Sequence, residues 1–222
     1  MIKEGDCFKI LGWDVKEEQQ LNFSQVDYEA FRWINNGAEV FSFINPLMLF
    51  LSKYAVVFFV IGALIYWFTR AHANRRMITQ ALLSAMIGFT MSWILGKLFY
   101  RDRPFVSHEV FQLVHHEANA SFPSNHALGA FVIAMTIWLF RRRDGWIWLV
   151  LASGIAIARV WTGVHYPTDV LAGALLGVLI AVVVHRVFTR ISLAKSLMEL
   201  GIYHYEQVES KVWRKPGYRN RL

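Results

Sequence analysis

From residue 45 onward, long apolar runs alternate with short, sharply polar breaks, and that rhythm predicts a helical membrane protein. The runs fall at about 45–68, 77–99, 124–140, 146–162 and 168–189. At about 1.5 Å per residue they reach roughly 25 to 36 Å, enough to cross a hydrocarbon core with modest tilt or thinning. Residues 23–43 differ: Phe23, Val26, Phe31, Ile34 and Phe41 alternate with Asp27, Glu29, Arg32 and Glu39. That stretch is too charged to span, and its pattern predicts an amphipathic helix at an interface or against other helices. The first 22 residues are polar and mixed in charge, without the basic-then-apolar order of a cleavable signal peptide. The expected architecture is an all-α integral membrane protein with about five transmembrane helices plus an N-terminal amphipathic helix. Its expected parts are a polar tail at 1–25, a membrane-embedded domain at 26–190 and a basic cytoplasmic tail at 191–222.

Composition agrees, since 55% of the 222 residues are hydrophobic and 15% are aromatic, too apolar for an ordinary soluble domain. The net charge of +7 raises nucleic acid as a partner. The basic residues, however, sit beside apolar runs rather than along an aromatic-studded polar surface, which fits lipid headgroups and argues against nucleic acid. Cys7 is the only cysteine, which excludes an intramolecular disulfide and a thiolate metal cluster. Oligomeric state is not encoded in any of these patterns.

The polar breaks set an orientation. Arg70, Arg75 and Arg76 follow the first run, Arg141 to Arg143 follow the third, and Arg186, Arg190 and Lys195 mark the end of the fifth. All three groups fall on one side, which the positive-inside rule makes cytoplasmic. The other side receives residues 1–44, where four Lys/Arg meet eight Asp/Glu, and the loops at 100–123 and 163–167. Arg101 and Arg103 run against that bias and need a chemical reason.

Three segments on this second side carry the candidate chemistry: "KLFYRDRPF", "FPSNH" and "ARVWTGVHYPTD". Charge at such depth is costly unless paired or functional. Lys97, Arg103 and Arg159 describe an anion pocket, because guanidinium forks match phosphate oxygens and lysine adds a point charge. Ser124 and Asn125 open a helix, where free backbone N–H groups add anion affinity. His165 stands four residues before Asp169, a spacing that lets the carboxylate hold one ring nitrogen and leave the other as a nucleophile. His126 is then the candidate acid for the leaving oxygen, and two histidines in different environments can hold opposite protonation states.

These segments resemble the three signature motifs of the type 2 phosphatidic acid phosphatase superfamily. "RPFVSHEVFQLVHHEANASFPSNHA" is similar to the bacitracin-resistance branch of bacterial undecaprenyl-diphosphatases, over roughly residues 26–190. The resemblance implies metal-independent removal of the terminal phosphate of a polyprenyl diphosphate on the outer membrane face, through a phosphohistidine and without a cofactor. It implies His165 as nucleophile, Asp169 as its orienting partner, His126 as general acid, and Arg103, Arg159 and Ser124 as phosphate ligands. It also implies a role in lipid-carrier recycling for peptidoglycan synthesis and in bacitracin resistance.

The sequence departs from the family pattern at three positions. The motif lysine usually stands seven residues before the motif arginine. Here Gly96 holds that place and Lys97 is one residue late, a slip of about 100° on a helix. Lys97 and Arg101 are therefore both candidate phosphate ligands in place of the motif lysine, and Asn125 is a further candidate ligand. Asn125 replaces the usual glycine, and Ala158 the usual serine. His115 and His116 lack a carboxylate or cysteine cluster at metal spacing and are expected in a solvated loop. Trp138, Trp146, Trp148 and Trp161 are expected as interfacial anchors, and Gly173 and Gly177 as helix-packing positions. Rival readings are a phosphatidylglycerophosphate or phosphatidate phosphatase using the same site, and a transporter or lipid-binding protein using the cations without bond breaking. Against the transporter stands the lack of corresponding halves with paired broken helices.

Overall fold

The computed structural model describes residues 23–212, so residues 1–22 and 213–222 of the two expected tails lie outside the described residues. The regular elements are α1 (Phe23–Val40), a 3-10 turn (Ser42–Ile44), α2 (Asn45–Lys53), α3 (Ala55–Phe68), α4 (His72–Leu98), the single turn α5 (Pro104–Ser107), α6 (Asn125–Phe140), α7 (Arg142–Trp161), α8 (Pro167–Arg190) and α9 (Ser192–Val212). Helices α4, α7 and α8 are each long and apolar enough to cross a membrane. The first predicted run is realised as α2 and α3, bent by 47° at Tyr54, a pair apolar enough for either a broken span or a re-entrant loop, so the described residues hold three to four spans by length and composition. The remaining run is α6, whose 16 residues fall short of a full crossing. Its first turn starts at the site, because Pro123 and Ser124 are used there.

Helix α6 is the centre of the bundle and packs against α8, α7 and α4. It buries Ala127, Ala130, Ala134 and Ile137 completely or nearly so, and its small side chains allow close approach. Helix α8 supplies the matching surface. A Cβ on Gly177 would lie 2.7 Å from the Leu128 carbonyl, and one on Gly173 would collide with the carbonyl of Ser124. These two glycines thus let α8 ride over the opening turns of α6, which draws Asp169 beside the α6 mouth. The Ser124 N–H donates to the Asp169 carbonyl at 3.0 Å.

The amphipathic helix α1 packs on α7 and α8 and buries Asp27, Phe31, Asn35 and Ala38. Its Asn35 amide clasps the loop before α6, donating to Phe111 O and Trp161 O at 2.9 Å each and accepting from Phe111 N at 3.0 Å. Residues 192–212, expected as tail, form α9 along α8 and α4. Two of the four tryptophans expected as anchors, both half-buried, also have partners within the bundle. Trp148 lies tilted against Phe59 with ring centroids 4.9 Å apart, and Trp161 donates to Asn45 Oδ1 at 2.8 Å. The outer faces of α4 and α8 instead expose Leu82, Met86, Trp93, Leu171, Leu175 and Leu179, an apolar belt suited to hydrocarbon.

Candidate active site

One end of the bundle holds a cavity of about 540 Å³, walled by the end of α4, the loop before α6, the first turn of α6 and His165. The side chains are delivered by turns at helix ends. Arg103 precedes the Pro104 that starts α5, Ser124 precedes α6, and His165 stands just before the Tyr166–Asp169 capping box that opens α8. In that box Asp169 Oδ2 accepts from the Tyr166 N–H at 2.9 Å, so the residue that caps the helix is also the one beside His165.

His165 is 2% exposed, and its two nitrogens have different partners. Arg103 Nη1 lies 3.1 Å from Nε2. Arginine can only donate, so Nε2 is the acceptor nitrogen with its lone pair facing the guanidinium, and the ring proton belongs on Nδ1. Nδ1 lies 3.3 Å from Ser121 Oγ and 3.6 Å from Asp169 Oδ2. Burial, with the nearby charges of Arg103 and Arg159, pushes the His165 pKa down to about 4, against the pull of Asp169. The imidazole is therefore neutral at physiological pH, the form with a lone pair to give.

The two arginines are disposed differently. Every N–H of Arg103 has a protein acceptor: Asn119 Oδ1 at 3.1 and 2.8 Å, Ala120 O at 3.3 Å, Val164 O at 2.9 Å and the His165 ring. Burial lowers its pKa to about 10, with Asp169 opposing, and it stays cationic. Arg159, 2% exposed, spends Nη1 on Ser52 Oγ and O at 3.0 and 3.4 Å. Its Nε and Nη2, and the hydroxyl of Ser124, have no hydrogen-bond partner among the described residues. Neither arginine has a carboxylate within ion-pair distance among those residues. Buried donors and unbalanced positive charge are costly when left unmet, so the chemistry of this end is complementary to an anion.

The structure redistributes the other candidates. Lys97 lines the cavity despite its one-residue slip. The usual lysine position is closed, since a Cβ on Gly96 would stand 3.1 Å from Phe122 O. Arg101, expected to replace that lysine, turns away. Its Nη1 meets Asp27 Oδ2 at 2.7 Å, Thr168 Oγ1 at 2.9 Å and Asp169 Oδ1 at 3.4 Å, and its guanidinium lies 3.6 Å above the Tyr166 ring. His126 is half-buried on the cavity wall. His116, expected in solvent, also lines the cavity, with its ring centroid 6.5 Å from that of His165. Sequence reasoning missed Ser52 and Ser121 as partners of the motif residues. Ser121 lies two residues before "PSNH", the only signal that could have marked it.

Asn125 accepts a hydrogen bond from Ser92 on α4 at 2.6 Å. It stands where the polar cavity meets a second one, about 300 Å³, lined by α3, α4 and α6 side chains such as Phe59, Val60, Phe89 and Ile133. Asn125 and His126 are the two residues common to both. The site is thus a cationic chamber that adjoins an apolar groove across Asn125 and His126. Among the described residues no group of three or more His, Cys, Asp or Glu side chains is arranged to hold a metal ion.

Residues 94–192, which carry all three motifs, match the PAP2 superfamily. The chain is 39% identical over 193 residues to the Bacitracin transport permease protein BcrC of Bacillus licheniformis, covering 86% of this chain and 93% of that protein. The chain belongs to the PAP2 superfamily. It is also 30% identical over 196 residues to the Undecaprenyl-diphosphatase BcrC of Bacillus subtilis (strain 168), covering 88% of this chain and 100% of that protein. The crystal structure of Aquifex aeolicus LpxE shares the fold, with a TM-score of 0.64 at 24% identity over 72% of this chain and 95% of that one. This PAP2 chain is a multi-pass membrane phosphatase.

Proposed function

We propose that this phosphatase converts undecaprenyl diphosphate to undecaprenyl phosphate and inorganic phosphate, on the outward face of the bacterial cell membrane. The observation that carries the reading is the junction at His126. There a cation-lined chamber sized for a diphosphate meets an apolar groove suited to the prenyl chain. The name of the Bacillus subtilis relative, with 30% identity along its whole length, supports the same substrate. Orientation is supported by the basic run Arg141 to Arg143, which separates α6 from α7 and so lies at the end of the bundle opposite the site.

In the first step the Nε2 lone pair of His165 attacks the terminal phosphorus. The N–P bond forms as the bridging P–O bond breaks, and His126, protonated as the anionic diphosphate binds beside it, gives that proton to the departing oxygen of the lipid phosphate. The positive charge gained by the imidazole is met by Asp169. Charge on the transferring phosphoryl oxygens is met by Arg159, Ser124 and Lys97, and by Arg103 once its Nη1 moves from Nε2 to phosphate. In the second step water attacks phosphorus, the N–P bond breaks, and the now neutral His126 takes the water proton. Phosphate leaves and the site is reset. Bacitracin resistance and renewal of the carrier for peptidoglycan synthesis follow from this turnover.

The Bacillus licheniformis relative is called a transport permease, and a transporter would use the same cations without breaking a bond. A neutral, buried His165 at the chamber wall, its Nε2 lone pair held by Arg103 until phosphate takes that donor, favours chemistry. The decisive experiment is phosphate release by purified protein from undecaprenyl diphosphate, phosphatidate and phosphatidylglycerophosphate side by side, with a chelator present. The diphosphate should be turned over fastest, and His165→Ala should release none while remaining inserted. Faster turnover of either glycerophospholipid overturns the substrate assignment, and residual turnover by His165→Ala overturns the nucleophile.

A further inference from the structure

The motif carboxylate makes only a long contact with the nucleophile. Asp169 Oδ2 lies 3.6 Å from His165 Nδ1, beyond a good hydrogen bond, and a third side chain fits between them. Ser121, completely buried, stands 2.5 Å from Asp169 Oδ2 and 3.3 Å from His165 Nδ1. The ionised carboxylate only accepts, so the single hydroxyl proton of Ser121 is committed to Asp169. Its oxygen then faces Nδ1 with a lone pair. Nε2 is already the acceptor nitrogen, because Arg103 donates to it. The chain of donors runs one way: His165 Nδ1–H to Ser121 Oγ, and Ser121 Oγ–H to Asp169.

We propose that Ser121 is a positioning residue for the phosphoryl transfer, a hydroxyl relay through which Asp169 fixes the ring orientation and Nδ1–H tautomer of His165. Without it, the competing Nε2–H tautomer, which has no lone pair toward phosphorus, becomes accessible. Asp169 is held at its distance from the ring by its other partners. Oδ2 accepts from the Tyr166 N–H at 2.9 Å, and Oδ1 faces Arg101 at 3.4 Å. Arg101 is in turn fixed by Asp27 of α1 at 2.7 Å. Ser121 is placed independently of its hydroxyl, since its backbone N–H donates to Arg101 O at 2.8 Å. Removing the hydroxyl therefore tests the relay and leaves the loop anchored.

The inference rests on His165 being the nucleophile, and the experiment separates the two. With the full-length protein and a lipid diphosphate, Ser121→Ala should lower kcat about 10- to 100-fold with KM within about twofold. The rate of phosphoenzyme formation in a single turnover should fall by the same factor. Ser121→Thr, which restores a hydroxyl, should recover most of that loss, and ¹⁵N-histidine spectra should show the Nε2–H form of His165 gaining population in Ser121→Ala. If Ser121→Ala keeps wild-type kcat and tautomer while His165→Ala is dead, the relay is wrong and the nucleophile stands. If His165→Ala still turns over, the reading beneath both fails. Should Ser121→Thr prove too bulky for the buried site, the kcat-against-KM split and the ¹⁵N tautomer of Ser121→Ala decide alone.

Discussion

Arginine is buried at both ends of the α4–α8 pair, in opposite ways. At the end away from the site, Arg75 meets Glu206 at 2.9 Å and Glu209 at 2.5 Å on α9. Beside it, Arg76 meets Glu199 at 2.5 Å, and His72 stands 2.7 Å from Glu199 and 3.2 Å from Glu206. Each cation there has a carboxylate of the same chain. At the site end, Arg103 and Arg159 have none within ion-pair distance among the described residues, and the two nearby carboxylates, Asp27 and Asp169, are drawn to Arg101 instead. Paired burial closes α9 onto the bundle. Unpaired burial is carried at a cost to stability, and its use lies in an anionic ligand.

Exchanging one charge at each end breaks this contrast most directly. Arg159→Gln removes the unpartnered buried donors that the proposed mechanism gives to phosphate, so phosphate release measured as kcat/KM should fall on the order of 10²- to 10³-fold. The melting temperature should hold or rise, because an uncompensated buried cation is gone. Glu209→Gln at the other end should do the reverse, leaving kcat/KM within about twofold. It should cost about 1–2 kcal/mol after allowance for partial exposure, a fall of roughly 2–8 °C in a thermal melt. Equal effects of the two changes on melting would erase the distinction between the ends.

The same imbalance of charge predicts a pH profile. Burial and the two arginines hold the His165 pKa near 4, and the attacking form is the neutral one. Activity should be insensitive to His165 above that value and decline as pH falls through it, about tenfold per unit below. The acid limb of kcat/KM, which reports the free enzyme, should lie near pH 4 in a short assay. A limb near 6.5 would mean that His165 is neither desolvated nor pressed by cations.

The sequence made the helices and the three motifs legible, because apolar run length and motif spacing are local properties. His165, Asp169, His126, Arg103 and Arg159 do converge on one end of the bundle. What it left hidden depends on partners far along the chain. Arg101 looked like a phosphate ligand until Asp27, on a helix more than seventy residues earlier, claimed it. The choice between Lys97 and Arg101 stayed open because the helical slip says nothing of the Phe122 carbonyl that packs on Gly96. The polar C-terminal stretch read as tail because its glutamates lack an apolar rhythm, whereas their partners are the arginines and histidine at the start of α4. Run length also overstated α6, whose first turn serves the site.

Asn125 is the finest test of how the site end differs, because it is polar, partnered and still at the chamber wall. Its Oδ1 is held by Ser92 at 2.6 Å, which ties α6 to α4 where the phosphate chamber meets the apolar groove. The family glycine lacks that tie. Asn125→Gly should therefore loosen the junction without touching the nucleophile, the acid or the arginines. Losing one interhelix hydrogen bond, about 1 kcal/mol, should lower melting by only a few degrees. The more telling change should be in selectivity, with the preference for a lipid diphosphate over phosphatidate shrinking about two- to fivefold, and Ser92→Ala shifting it the same way. If both variants keep the wild-type ratio, the hydrogen bond is packing alone, and discrimination between lipid phosphates must lie deeper in the groove.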